Sequence, residues 1–345
     1  MSNIGKRTDR ILYADTIVDL QAGDTGKGKV AHALASKLNE YTHIIRYNGG
    51  GNAGHTFYHN DEKFVTHYIP IGVMYGIKSI IGPGCVVNVK DLLKEINELE
   101  ARGIDVKNFL FLDKRVHVIT DAHLTEEIGE STIGTTKTGN GPAYRDKYYR
   151  QGVRVGEVPE LSSYAIDIYE ELYMGSIQCK ILFEGAQGFE LDIDWGDYPY
   201  VTSSHCTIGG ALLNGVPPQK VRKVIGTAKA YNTYVGAKTF EGEDKIFAAI
   251  RIVGAEYGAT TGRPRQVNWM DLDKLIMAAT INGVTELIIN KLDVLEQVNV
   301  FGLYYGGSLI KFDNEADFCR VITNGLLVAV PTLTDVVFSR SAMKI

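Results

Sequence analysis

A chain of 345 residues, 45% of them hydrophobic and 22% charged, has the make-up of a globular protein with a core larger than one small domain needs. Its net charge of −5 and isoelectric point near 5.9 argue against a surface built to coat nucleic acid, though not against local basic sites for phosphorylated small molecules. The four cysteines, Cys85, Cys179, Cys206 and Cys319, are far apart and lack metal-ligand spacing. The first ten residues are polar, and no apolar run approaches the ~20 residues that span a bilayer. The expectation is a soluble cytoplasmic protein with reduced thiols, bound neither to nucleic acid nor to membrane.

An apolar, strand-like run over residues 11–20 leads into Gly-Asp-Thr-Gly-Lys-Gly-Lys at 23–29, and a helix-like run follows over 30–38. Strand, glycine-rich turn and helix point backbone N–H groups at a phosphate. Gly23, Gly26 and Gly28 let the main chain approach closely, and Lys27 and Lys29 bring charge. The spacing is not that of the standard phosphate-binding loop, and a plain turn with solvated lysines fits the same residues. Asp24 is the odd member: a carboxylate in a phosphate nest is costly unless it holds a metal or moves a proton.

Residues 41–47 read as a strand and open a second glycine-rich loop, 48–56, which carries Asn48, Asn52, Gly54 and His55. A lone histidine is more often structural than catalytic; between glycines, facing another phosphate-type loop, that preference reverses. A strand is expected over 79–87, and a helix over 91–102 with Leu92, Leu93, Ile96 and Leu99 on one face. Strands at 109–112 and 116–119 follow. Residues 133–139 offer hydroxyls and N–H groups, and 141–147, with Arg150 behind, form an ordinary turn and charged helix start. Buried strands are expected at 180–183, 221–228 and 286–290, with a helix over 270–281. Residues 258–265 combine flexible backbone, hydroxyls and guanidiniums suited to a carboxylate. Asn290-Lys291-Leu292-Asp293 has the N-K-x-D form that reads purine bases in GTPases. Strands alternating with helices predict an α/β fold with a mostly parallel sheet. The long irregular stretches 48–64, 131–154 and 185–210 are read as functional loops.

Together these stretches resemble the adenylosuccinate synthetase family. Seven motifs occur in order, at 23–29, 50–56, 134–147, 183–188, 192–204, 258–265 and 290–293. The resemblance implies one catalytic domain over 1–345, with a large mixed, mainly parallel central sheet flanked by helices, related to P-loop NTPases, and a homodimer. It implies phosphorylation of a purine 6-oxo group by a nucleoside triphosphate, then displacement of that phosphate by the amine of L-aspartate. Asp24 would take the N1 proton and, with the Gly54 carbonyl, ligate Mg²⁺. His55 would serve the transferring phosphoryl group, Lys27 would neutralise phosphate, and Gln187 would sit near the 6-position. The substrate nucleotide would meet Thr25, Asn52, Thr136, Thr202 and Val235, with Arg150 arriving from the neighbouring subunit. Thr260, Thr261, Arg263 and Arg265 would bind aspartate. Gly23, Gly26, Lys27, Gly28 and Lys29 would hold the triphosphate, with Lys291 and Asp293 at its base.

The departures from the family pattern cluster around purine and ribose. The usual Gln-Trp-Gly-Asp-Glu-Gly is Gln21-Ala22-Gly23-Asp24-Thr25-Gly26. The usual Thr-Thr-Arg-Val-Gly is Asn232-Thr233-Tyr234-Val235-Gly236, and the segment that encloses guanine near the C-terminus is rewritten at 330–335. Kept catalytic groups beside changed substrate-shaping groups resemble the phage branch, which condenses dGMP with aspartate toward 2-aminoadenine DNA using ATP or dATP. The ordinary reaction, with IMP and GTP, is the alternative, and N-K-x-D agrees with GTP. A non-enzymatic nucleotide switch is a third reading; it would have no use for His55 or Gln187.

Overall fold

A computed structural model describes residues 9–129, 132–258 and 262–341. At its centre, nine strands form one sheet in the spatial order Asp335–Phe338, Glu286–Asn290, Val221–Lys229, Ile11–Asp19, Cys179–Glu184, His43–Arg46, Lys78–Ile81, Leu110–Asp113 and Ala165–Ile166. Every pairing in this sheet is parallel. The expected mixed, mainly parallel architecture is therefore met with the antiparallel pairs set apart. They lie in the hairpin His55–His59/Glu62–Thr66 and in a four-stranded sheet of Tyr231–Tyr234, Gln266–Asp271, Phe301–Tyr305 and Ser308–Phe312.

The first strand occupies the middle because it is apolar on both faces, as a buried parallel strand must be. Ile17 packs into one core with Val30, Ile44 and Leu182, while its neighbour Val18 enters a second with Ala228, Leu287 and Met270. Both cores exclude water from the strands, and so the functional groups gather where the strands end.

Local chemistry moves several expected boundaries. The single strand expected at 79–87 is two, Lys78–Ile81 and Val86–Asn88, because Gly82-Pro83-Gly84 turns the chain between them. The helix Val89–Ala101 begins where Asn88 Oδ1 accepts the N–H of Asp91 at 3.1 Å. The helix expected from 270 starts at Leu272, since Asp271 caps it and residues 266–271 are a strand. Residues 117–119 form a strand outside the central sheet, paired with 86–88.

Candidate active site

Five polar side chains sit at the C-terminal ends of central strands: Asp19, Arg46, Glu184, Lys229 and Asn290. This is the edge at which open parallel sheets bind ligands, and each of the five braces a loop or side chain of the site.

Asp19 organises the first glycine loop. Its Oδ1 accepts the N–H of Gln21 at 2.9 Å; its Oδ2 accepts the N–H of Thr25 at 3.2 Å and pairs with Lys27 Nζ at 2.6 Å. The loop then turns through left-handed conformations at Gly23 (φ 99°), Asp24 (φ 53°) and Gly26 (φ 97°). For Asp24 that backbone costs on the order of 1–3 kcal/mol and turns its carboxylate outward, with 42% of the side chain accessible. Asn290 locks the far end: its Nδ2 donates to the Thr25 carbonyl at 2.6 Å, and a Cβ on Gly26 would stand 2.7 Å from the same nitrogen.

The second glycine loop delivers His55. Its Nδ1 lies 2.5 Å from Glu184 Oε1, and Arg46 Nη1 approaches Nε2 at 3.3 Å. Burial and then the Arg46 charge push the histidine down to about 4, so the ring is neutral near pH 7 with its Nδ1 proton on the Glu184 side. Burial works against ionisation of Glu184, yet His55 and Arg46 hold its carboxyl below the usual range. Gln187, also left-handed at φ 53°, donates from Nε2 to Asn52 Oδ1 at 2.9 Å and ties this loop to the end of strand Cys179–Glu184. Its Oε1 is buried with no hydrogen-bond partner in the protein.

A third group arrives from the 256–265 segment. Glu256, fully buried, takes Lys229 Nζ at 2.8 Å and Arg265 Nη1 at 2.5 Å on Oε2, and the Tyr231 hydroxyl at 2.6 Å on Oε1. Against its burial, Lys229 and Arg265 hold its carboxyl down to about 2. The other arm of Arg265 pairs with Asp24 Oδ2. Arg263 donates to the carbonyls of Gly134 and Thr135 at 3.2 and 3.0 Å, joining two loops across the mouth.

These loops enclose a cavity of about 530 Å³. Of the residues singled out from sequence, Gly23, Asp24, Gly26, Lys27 and Gly28 of the first loop line it, as do Asn52, Gly54 and His55 of the second. Thr136, Gln187, Thr202, Val235, Arg263 and Arg265 complete its wall. Thr260 and Thr261 lie outside the described residues.

Four other expected residues, and a fifth, stand elsewhere. Thr25 is 1% exposed beneath the loop, its hydroxyl 2.7 Å from that of Thr227. Lys29 reaches Ser339 Oγ at 2.7 Å and the Ser341 carbonyl at 2.8 Å, and burial pushes it down to about 8. The charges of Asp293 and Lys291 act on Lys29, so these three form a neighbouring group. Lys291 Nζ itself donates to the Gly254 carbonyl at 2.8 Å. Arg150 is exposed at the end of the helix Asn140–Tyr149, away from the cavity of its own chain.

Sequence reasoning passed over Asp19, Arg46, Glu184, Lys229 and Glu256. For the first four a signal exists: a charged residue that closes an apolar strand. Glu256 carries none, because its partners come from three separate segments. Asp192, Asp194 and His205 also converge, but the Asp192 carboxylate is used by the N–H groups of Asp194, Trp195 and Cys206 at 3.0, 3.2 and 2.5 Å, a loop-bracing role.

Two glycine-rich loops, an accessible carboxylate and two arginines face one cavity at the C-terminal edge of a parallel sheet, the place and composition of a site for an anionic ligand. A family model described as adenylosuccinate synthetase matches residues 16–175 and 158–306. Adenylosuccinate synthetase of Thermodesulfovibrio yellowstonii is 38% identical over 86% of this chain and 82% of its own, and that of Geobacillus kaustophilus is 40% identical over 81% and 77%. The solved, fully ligated adenylosuccinate synthetase of Plasmodium falciparum superposes with a TM-score of 0.83 at 27% identity, covering 96% of this chain and 98% of that one. The cyanophage S-2L succinoaminodeoxyadenylate synthetase, bound to dGMP and dATP, gives 0.75 at 24% identity over 97% and 94%, a likeness of fold. The chain belongs to the adenylosuccinate synthetase family. It is a C–N bond-forming ligase that acts on a purine nucleotide and aspartate. Among the described residues no helix is long and apolar enough to cross a membrane.

Proposed function

We propose that the protein joins a 6-oxopurine nucleoside 5′-monophosphate, dGMP or IMP, to L-aspartate, using a nucleoside triphosphate through a 6-phosphoryl intermediate. The observation that carries this is the convergence of Asp24, His55, Gln187 and Arg265 on one cavity. Asp24 takes the N1 proton, which makes the 6-oxygen nucleophilic toward the γ-phosphorus. The buried Lys27 and the neutral His55 meet the phosphoryl group from the loop side, and an arriving anion favours protonation of that histidine. The aspartate amine then displaces phosphate at C6. Arg265, already shared between Glu256 and Asp24, offers its guanidinium to the incoming carboxylate, so nucleophile and base meet at one cation.

The Asp24 carboxylate and the Gly54 carbonyl are hard oxygen donors on the cavity wall, and few protein ligands plus phosphate oxygens are what Mg²⁺ takes. When bound, Mg²⁺ would neutralise charge on the transferring phosphoryl group. Asn52, Thr136 and Thr202 hold the 5′-phosphate, Val235 faces the nucleotide, and Arg263 with the 260–261 segment receives aspartate. Arg150 of a second copy completes the phosphate site in a homodimer. Lys29, Lys291 and Asp293 receive the triphosphate end.

Two nucleotides fit this chemistry, and different observations support them. The names of the curated relatives favour the ordinary synthetase reaction, with IMP, and the N-K-x-D turn at 290–293 agrees with GTP as donor. The cavity's own wall supports dGMP, and the rewritten segment 330–335 supports ATP or dATP as donor. Ala22 lines the wall with a methyl where the family carries an indole, leaving room for a 2-amino group. Tyr234, packed against the Phe240 ring at 5.7 Å, stands where the family has an arginine near the ribose, so a 2′-hydroxyl loses a cationic neighbour. Turnover followed by ultraviolet absorbance with aspartate, Mg²⁺ and either nucleotide, each with ATP and with GTP, decides the matter through the ratio of kcat/KM values. Turnover with IMP alone sinks the dGMP reading. No turnover with either, or an active Asp24→Asn variant, sinks the mechanism.

A further inference from the structure

Asn140 is the first residue of the helix Asn140–Tyr149, directly behind the left-handed Gly139 (φ 76°). It is 5% exposed and lines the cavity. Neither its Oδ1 nor its Nδ2 has a hydrogen-bond partner in the protein. A primary amide offers two donors and an acceptor with two lone pairs, and burying them unused is destabilising. An apolar side chain of the same shape would carry no such cost, so a free-state packing role does not account for an asparagine here.

Its surroundings do. The Oδ1 atom lies 2.8 Å from where a Cβ on Gly50 would stand, which sets the amide against the loop that carries Asn52. Thr136 precedes the helix, and Ser203 Oγ lies 3.8 Å from the Cβ position of Gly141. The first turn of this ten-residue helix has N–H groups with no acceptor inside the helix, and partial positive charge gathers there. Arg145, on the same helix, also lines the cavity. The acidic groups nearby are already engaged: Glu127 Oε2 takes the N–H of Gly139 at 2.5 Å, and Glu126 pairs with Arg145.

We propose that Asn140 is a further nucleotide-binding residue, whose Nδ2 donates to the 5′-phosphate of the purine nucleotide while Oδ1 takes a water of that phosphate's hydration shell. The inference rests on the nucleotide–aspartate ligase reading. In the free protein the amide is held ready and unpaired, and ligand binding completes it.

The test compares wild type, Asn140→Leu and Asn140→Asp in equilibrium titrations with IMP, dGMP and their parent nucleosides, inosine and deoxyguanosine. The leucine variant is expected to raise the unfolding temperature of the free protein. It should weaken 5′-monophosphate binding about tenfold or more, the scale of one charge-assisted hydrogen bond, and leave nucleoside binding and the KM for aspartate unchanged. The aspartate variant, repelling phosphate, should bind monophosphate more weakly still. Monophosphate binding by Asn140→Leu within twofold of a binding wild type overturns the inference and leaves the ligase reading intact. Equal weakening toward nucleoside and monophosphate assigns Asn140 to packing and also overturns it. A wild type that binds neither nucleotide overturns both. Should the leucine variant fail to fold, Asn140→Ser gives the same comparison.

Discussion

At the scale of single residues, the site runs on carboxylates that hold something else in place. Glu184 shows this most clearly, with Oε1 on His55 Nδ1 at 2.5 Å and Oε2 on the N–H of Ile71 at 3.1 Å, so the imidazole has one orientation. The histidine's depression to about 4 has a consequence for stability. Between its unfolded value near 6.5 and the folded value, the unfolded chain binds a proton that the folded one does not. Stability from this group is fully present above pH 6.5 and is lost as pH falls toward 4, by up to about 3 kcal/mol if burial acts undiminished. His55→Gln is therefore expected to flatten the fall of the unfolding midpoint between pH 6.5 and 4 while lowering kcat at pH 7 by about 10²-fold or more. Denaturant titrations of both proteins at half-unit pH steps measure the first effect. A wild-type midpoint that falls no faster than the variant's in that window contradicts the neutral, buried ring.

Between neighbouring elements, the glycine loop and the N-K-x-D turn act as one piece. Gly26 is left-handed at φ 97°, and any Cβ there meets Asn290 Nδ2 at 2.7 Å, while the same amide holds the Thr25 carbonyl at 2.6 Å. Gly26→Ala combines backbone strain with a clash against a restrained amide, for a cost on the order of 1–3 kcal/mol. It is expected to lower the melting temperature and to cut kcat more than the KM for aspartate, because it displaces Asp24 and Lys27 but not Arg263. A second change, Asn290→Ala, removes the clash and should restore part of the stability without restoring kcat. Full recovery of turnover in the double variant would refute the bracing role.

This pairing also marks what the sequence makes legible. The loop and the turn are each visible as motifs, because their glycines and polar residues serve local backbone needs. The strands are visible because burial on both faces demands continuous apolar runs. That Asn290 touches Thr25, or that Glu256 gathers Lys229, Tyr231 and Arg265, follows from the spatial order of the strands. Nothing in a local pattern encodes that order. That the Thr25 hydroxyl lies under the loop against Thr227 follows from the same strand order, since Thr227 comes from a neighbouring strand. Asn140 escapes notice because an asparagine at a helix start reads as a cap, whereas here its amide caps nothing.

For the whole molecule, Arg150 is a cation that the proposed chemistry asks for and that does not line the cavity of its own chain. That residue closes the helix Asn140–Tyr149 in a left-handed turn (φ 68°), exposed and apart from the residues that line its own cavity, beside Tyr148 and Tyr149, which are 62% and 71% exposed. Two exposed tyrosines next to an arginine are the composition of an interface centre. If a second copy docks there and lends Arg150, a site defective in Asp24 and a site defective in Arg150 complement each other across the interface. Asp24→Asn and Arg150→Ala proteins are each expected to be nearly inactive alone at low nucleotide. Mixed and re-equilibrated, half of the dimers are heterodimers and each holds one intact site, so about a quarter of wild-type activity should return. Dilution below the dimer dissociation constant should abolish it again. A mixture no more active than the sum of its parts, in a sample shown to exchange subunits, would place Arg150 outside the site and leave each chain to bind its phosphate alone.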